Sequence, residues 1–235
     1  MSADPTETRP RAVVTGATGG IGRACVADLA RDHDVLALGR DAGRLAELAE
    51  IPHVTVRAAD LTDPAGIPAA VAGLDRVDVL VHSAAVAGRT SVEGASVEQW
   101  RAQLELNVVA PAELTRLLLP ALRAARGTVV FLNSGSGLTA RAGDAVYAAS
   151  KFALRALADS LRQEVAADGI VVSSVHPGPV DTPMQRRIQA GLGNDYVPQR
   201  YIRPESVAAA VRAVVDAGED AQLTTVSVRP RGEAR

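Results

Sequence analysis

Tyr147 and Lys151 stand four residues apart inside a helical pattern, so their side chains share one face. That pair can do acid–base chemistry. A free phenol titrates near ~10. An ammonium beside it favours the phenolate and is expected to lower that value. A phenol tuned towards neutrality can pass a proton to or from an alcohol oxygen. Taken alone, the pair also describes a packed tyrosine next to an exposed lysine. A second string offers binding chemistry, Thr15-Gly16-Ala17-Thr18-Gly19-Gly20-Ile21-Gly22, directly after an apolar run. Glycines allow a sharp turn and a close approach to a ligand. The helix that follows presents open N–H groups and a positive dipole end to a pyrophosphate. The plain alternative is a tight strand-to-helix turn, but the position near the start, between a strand and a helix, favours a nucleotide. The spacing is T-G-x-x-x-G-x-G on Gly16, Gly20 and Gly22, not G-x-G-x-x-G.

These residues need a scaffold, and the chain supplies an alternation of short apolar runs and longer helical patterns. Strands are expected at Ala12–Thr15, Asp34–Leu38, His53–Arg57, Val77–His82, Thr128–Asn133, Ile170–Val175 and Thr224–Val228. Several are continuous Val/Leu/Ile runs, as in strands buried on both faces of a parallel sheet. Helices are expected at Gly20–Arg31, Ser96–Ala125, Gly143–Ala167 and Pro204–Ala217, the second kinked or broken at Pro111. This rhythm predicts an α/β fold, a doubly wound parallel sheet with helices on both faces and right-handed crossovers. Residues 11–235 read as a single domain, and Met1 to Pro10 as a short disordered tail rather than a signal peptide. Pro177–Arg203, rich in proline and weakly patterned, is the best candidate for a mobile lid or binding loop.

Bulk composition narrows the function. The chain has 235 residues, 47% of them apolar, and a net charge of −2, with both signs mixed along its length. Nothing suggests a nucleic-acid or membrane-surface partner. No run approaches the roughly 18 apolar residues of a membrane span. Cys25 is the only cysteine, so no internal disulfide forms, which fits a reducing, cytoplasmic location. No Cys/His cluster has metal-ligand spacing.

The glycine turn and the Tyr-x-x-x-Lys pair, in this order and with the motifs below, resemble the single-domain short-chain dehydrogenases/reductases over nearly the whole chain, from Arg11 to about Val228. The resemblance implies a Rossmann-type sheet of seven strands in the order 3-2-1-4-5-6-7. It implies a catalytic tetrad of Asn107, Ser134, Tyr147 and Lys151. Ser134 ends the fifth strand thirteen residues before Tyr147, the family spacing, which favours it over Ser136. A hydroxyl there would orient the substrate oxygen. Asn107 would hold a water linking the lysine to solvent, although an asparagine within a helix is more often a structural hydrogen bonder.

The resemblance also carries cofactor contacts onto Gly16, Thr18, Gly20, Ile21 and Gly22 of the turn, and onto Asp60, Leu61 and Ala84 at the ends of the third and fourth strands. Asn107, Tyr147 and Lys151 are counted among them as well. Pro177, Gly178, Val180 and Thr182 after the sixth strand match the motif that meets the nicotinamide. At the end of the second strand Gly39 stands where NAD-dependent relatives usually carry an aspartate, and Arg40 follows, as in many NADP-dependent members. A guanidinium there can take a 2′-phosphate. Against this, Gly19 replaces a basic residue often found in the turn. The expected cofactor is NADP(H), with NAD(H) possible. One departure is His82-Ser83-Ala84-Ala85 in place of the usual Asn-Asn-Ala-Gly, where His82 and Ser83 are expected to substitute as hydrogen bonders and His82 is not expected to be catalytic.

These implications add up to hydride transfer between NADP(H) and a small-molecule carbonyl or secondary alcohol, with Tyr147 as acid/base, in a homotetramer or homodimer. A non-enzymatic dinucleotide sensor on the same fold is the main alternative, weakened by the intact Ser134, Tyr147 and Lys151. A sugar epimerase or dehydratase of the longer branch is disfavoured by the chain length and glycine spacing. The sequence does not name the substrate. Arg89, Arg141, Arg186, Arg187, Arg200 and Arg203 fall in or near the expected pocket loops and would suit an acidic one, though surface arginines are usually only solvated.

Overall fold

The computed structural model describes residues 9–232. Seven strands form one sheet: β1 (Arg11–Thr15), β2 (Asp34–Gly39), β3 (Val54–Ala58), β4 (Val79–His82), β5 (Thr128–Leu132), β6 (Val171–Pro177) and β7 (Thr225–Val228). They lie in the order β3-β2-β1-β4-β5-β6-β7. Every neighbouring pair is parallel, with Val14 opposite Ala37 and Val81 in the sheet centre. This is the expected Rossmann-type arrangement, and each expected strand is present to within a few residues of its ends.

The reason is visible in β1. Ala12 and Val14 join one buried cluster, with Cys25, Val26 and Leu29, while Val13 joins the other, with Leu80, Leu114 and Leu118. A strand sandwiched in this way has no solvent face, so alternation vanishes from its sequence. The first cluster is covered by helices α1 (Gly20–Leu29) and α8 (Pro204–Val215). The second is covered by α3 (Gly66–Val71), α5 (Ala110–Ala125) and α6 (Ala145–Glu164). The short α2 (Ala42–Ala49) is started by Asp41, whose carboxylate accepts from the N–H of Arg44. That is the capping role open to an aspartate at this point.

The long helix expected over Ser96–Ala125 is three pieces. Helix α4 (Val97–Leu104), opened by a capping box of Ser96 and Gln99, runs into a π-helical turn at Glu105–Val109 and then into α5. Pro111 has no N–H to return to the carbonyl of Asn107, so the regular ladder fails where the proline predicted a break. Helix α7 (Pro183–Gly191) lies inside the segment expected to be a loop. Thr182 caps it, accepting from the N–H of Gln185 at 3.2 Å. The first eight residues of the expected disordered tail lie outside the described residues. Arg9 and Pro10 are tied down, Arg9 to the carbonyl of Ala30 at 2.9 Å and Pro10 to the N–H of Asp34 at 2.9 Å. Among the described residues no helix is long and apolar enough to cross a membrane.

Candidate active site

The carboxyl ends of the strands open into two clefts with a common wall. The first, of about 360 Å³, runs over the glycine turn. The second, of about 480 Å³, lies under α7 and the loop before α6. Ile21, Asn133, Tyr147, Thr182 and Met184 line both.

In the first cleft Gly16 has φ +61°, and a Cβ added to it would stand 2.7 Å from the backbone of Ala84. The turn therefore packs against the end of β4 only because residue 16 is glycine. The hydroxyl of Thr15 completes that seam, accepting from the N–H groups of Ser83 at 3.0 Å and Ala84 at 3.1 Å. The N-cap of α1, Gly19, makes no side-chain cap, so the first-turn N–H groups stay open to the cleft. Cations dominate the lining: Arg40, Arg44, Lys151 and Arg187 against the single carboxylate of Asp41. Open N–H groups and a cationic wall are a donor set that fits a dinucleotide pyrophosphate and its sugar phosphates. A Cβ at Gly39 would meet the methyl of Thr18 at 2.8 Å, so an acid at this strand end would need the Thr18 side chain to move. Arg40 stands next to it with a largely exposed guanidinium, 3.8 Å from Asp60.

The expected contacts divide between the clefts. Gly16, Thr18, Gly20, Ile21, Gly22, Arg40, Leu61, Ala84, Tyr147, Lys151 and Thr182 line the first. Pro177, Gly178 and Val180 line the second. Asp60 lies outside the lining, between Ala59 and Leu61, and its carboxylate accepts from the N–H of Thr62 at 2.9 Å and its hydroxyl at 2.7 Å. Those bonds, with Arg40, hold its pKa below the ordinary value. Arg187, considered from sequence for the substrate, faces the first cleft, and Arg186 pairs with Asp181 at 2.9 Å.

The four candidate tetrad residues are placed differently: Tyr147 lines both clefts, Lys151 the first, Ser134 the second, and Asn107 neither. Ser134 and Tyr147 line the second cleft together, close enough for Ser134 to favour the ionised phenol. The Lys151 ammonium sits 5.8 Å from the centre of the Tyr147 ring and donates to the carbonyl of Leu132 at 2.9 Å. Asn107, in the π-helical turn, spends its side chain on structure. Its Oδ1 accepts from the N–H of Val86, and its Nδ2 donates to the Val86 carbonyl, each at 2.9 Å; Nδ2 also reaches the Ser150 hydroxyl at 3.0 Å. It thereby ties the loop after β4 to α6.

Electrostatics correct one expectation. Burial pushes the Tyr147 phenol up to about 12, with Asp144 adding to the rise and Ser134 opposing it. Burial pushes Lys151 down to about 8. Desolvation disfavours the charged form of each group, and Lys151 is not among the groups that shift the phenol.

Several residues that shape this site were not singled out from the sequence. Asn133 accepts from the N–H of Ser134 at 2.9 Å and donates to the carbonyl of Lys151 at 3.2 Å, locking β5 to α6 beneath the pair. Buried His176 approaches the carbonyl of Ser134 with Nδ1 at 2.9 Å. Ser136 donates its N–H to the Ser134 hydroxyl at 3.1 Å and its own hydroxyl to Asp144 at 2.7 Å. Ser136 entered the sequence reading only as a rival to Ser134, and the only signal of Asn133 and His176 was polarity at the end of an otherwise apolar strand. His82 is buried, stacked on Phe131 and 2.8 Å from the Thr115 hydroxyl through Nε2. Burial holds its pKa down at about 3, so it is a neutral structural bonder, as expected.

This geometry has known counterparts. The sequence model of the short chain dehydrogenases matches residues 10–193. The chain belongs to that family. An uncharacterised oxidoreductase of Staphylococcus epidermidis is 30% identical, covering 93% of this chain and 96% of its own. A Corynebacterium glutamicum structure described as a short-chain dehydrogenase/reductase is 44% identical, covers 94% of this chain and 99% of its own, and has a TM-score of 0.72. A serine dehydrogenase in its closed form with NADP⁺ is 26% identical, covers 96% of both chains and has a TM-score of 0.86. As a member of the family the chain is an oxidoreductase acting on alcohol or carbonyl groups.

Proposed function

We propose that the protein transfers hydride between NADP(H) and a small-molecule carbonyl or secondary alcohol, with Tyr147 as the acid/base. The observation that carries this reading is the position of Tyr147 in the wall shared by a cationic, glycine-floored cleft and a second cleft. A group there can touch a ligand in each. The nicotinamide, when bound, supplies the hydride; everything else falls to the chain. Ser134, fixed from behind by Ser136 and His176, holds the substrate oxygen. Tyr147 gives that oxygen its proton in reduction and takes it in oxidation. Lys151 holds ribose hydroxyls and supports the phenolate once it forms. Asn107 positions the loop after β4, and its carbonyl, which Pro111 cannot engage, serves the water relay.

Preference for NADP(H) over NAD(H) is supported by Arg40 and Arg44 in the first cleft and by glycine in place of an acid at position 39. The NADP⁺-bound serine dehydrogenase points the same way. Pro177, Gly178, Val180 and Thr182 approach the nicotinamide end, and Asp60 acts through the adjoining Leu61 rather than by its own carboxylate. We place the enzyme in the cytoplasm as one domain over residues 11–235. We assign it a homodimer or homotetramer packed through α4–α5 and α6, because Val97, Val109 and Phe152 are exposed on those segments.

The test is a panel of carbonyls and alcohols run with NADPH and NADH, followed by nicotinamide absorbance, with sedimentation to fix the assembly. The reading predicts turnover of some pair and a preference for NADPH. Tight NADPH binding with no turnover of any carbonyl would favour a dinucleotide sensor instead.

A further inference from the structure

The second cleft is rich in guanidinium groups. Arg89, Arg141 and Arg229 line it, from the loops after β4, before α6 and after β7, and among the described residues that line it the only carboxylate is that of Asp144. Asp144 is already engaged, accepting the Ser136 hydroxyl at 2.7 Å. Two of the three guanidiniums are placed by the fold. Arg89 donates to the carbonyl of Ala142 at 3.2 Å and so straps the rim. Arg229 lies against two glycines beside the reacting centre. A Cβ added at Gly178 would stand 3.3 Å from its Nη1 and 3.4 Å from its Cζ, and one added at Gly135 would collide with the same Nη1. Gly135 follows Ser134 directly, so this guanidinium rests in the cleft wall one residue from the hydroxyl that faces the substrate oxygen. The cofactor's phosphates do not account for it, because Arg40, Arg44 and Arg187 serve the first cleft, on the other side of Tyr147.

We infer that the substrate is an oxo acid, or the matching hydroxy acid, whose carboxylate is held by Arg229 with Arg89 and Arg141 at the rim. This rests on the hydride-transfer reading above and adds the substrate class to it. Arg229 has other interactions, and the fork of N–H donors on a guanidinium can hold a carboxylate alongside them. Reduction of such a substrate balances simply. Hydride from NADPH forms the C–H bond, the carbonyl π electrons become an O–H bond with the Tyr147 proton, and NADP⁺ and the hydroxy acid leave.

The experiment uses three acids, pyruvate, acetoacetate and levulinate, each against its ethyl ester, with NADPH as reductant. The chain lengths bracket the unknown distance between the carbonyl and the carboxylate. Wild-type protein is expected to reduce at least one acid with a kcat/KM about tenfold or more above that of its ester. Arg229→Gln is expected to lower that acid-to-ester ratio about ten- to a hundredfold, mainly through KM, as for a lost charged hydrogen bond. Arg229→Lys is expected to restore part of it. The best acid should also raise the melting temperature of the NADP⁺-loaded wild type, and less so that of Arg229→Gln. Three results overturn the inference: esters that match or beat their acids at every length, an acid-to-ester ratio unmoved in Arg229→Gln, or neither reduction nor stabilisation by any acid. Failure of the underlying reading shows separately, as wild-type turnover by Tyr147→Phe.

Discussion

The two clefts that meet at Tyr147 are built in opposite ways. The floor of the first comes from one continuous stretch, the end of β1 and the start of α1, in which Gly16, Gly19, Gly20 and Gly22 shape the backbone itself. The second has no such stretch. Its walls come from the loops after β4, β5, β6 and β7, and its chemistry lies in side chains that meet only once the sheet is ordered. A backbone-built site is tied to the fold and serves a common ligand. A side-chain-built site can change without disturbing the fold, so substrate identity is kept there.

That contrast can be broken by substitutions that act on one cleft, the other or both. Lys151→Met should act on the cofactor side and on the wall together. Turnover should fall about a thousandfold, within the usual span for losing acid–base support, and NADPH binding should weaken, as steady-state rates and calorimetry would show. Ser134→Ala should act on the second cleft alone, lowering kcat about a hundredfold while the NADPH dissociation constant holds. A matching loss of NADPH affinity would mean that the clefts are not separable. Arg40→Ala should act on the first cleft alone, cutting the preference for NADPH over NADH about tenfold with little change for NADH, as expected for one charge-assisted contact to phosphate.

A smaller effect concerns stability and lies behind both clefts. His82 stays neutral when folded, with its pKa lowered to about 3, whereas in the unfolded chain it titrates near the ordinary 6.5. Between those values the unfolded state binds the extra proton. Stability therefore declines as pH falls through that window, by up to about 1.4 kcal/mol per pH unit from this group. Urea melts of wild type and His82→Gln should show a shallower acid limb in the variant.

The same contrast explains what could be read in advance. The central strands were legible because they are apolar runs buried on both faces, the half-exposed edge strands β3 and β7 by their place in the strand–helix rhythm, and the glycine turn because its geometry demands a residue type at fixed spacing. Helix α7 was hidden by its prolines, although Thr182 before Pro183 is a cap followed by a proline at the first helical position. Asn107 was singled out only through the family resemblance, and neither the π-helical turn that holds it nor its bonds to Val86 and Ser150 showed in the sequence. Asn133 and His176 were not legible, since their partners lie on other elements and local pattern does not report a contact across strands. The raised phenol of Tyr147 was missed for a related reason. Spacing reveals the lysine beside it, whereas desolvation depends on everything packed around both.

The account depends on the phenol of Tyr147 working for both clefts, and the most direct measurement pairs two quantities on one sample of Tyr147→Phe. NADPH affinity is measured by calorimetry, and turnover of the best carbonyl substrate by nicotinamide absorbance. The account predicts affinity close to wild type with turnover lower by about three orders of magnitude or more. Turnover within a few-fold of wild type would contradict it.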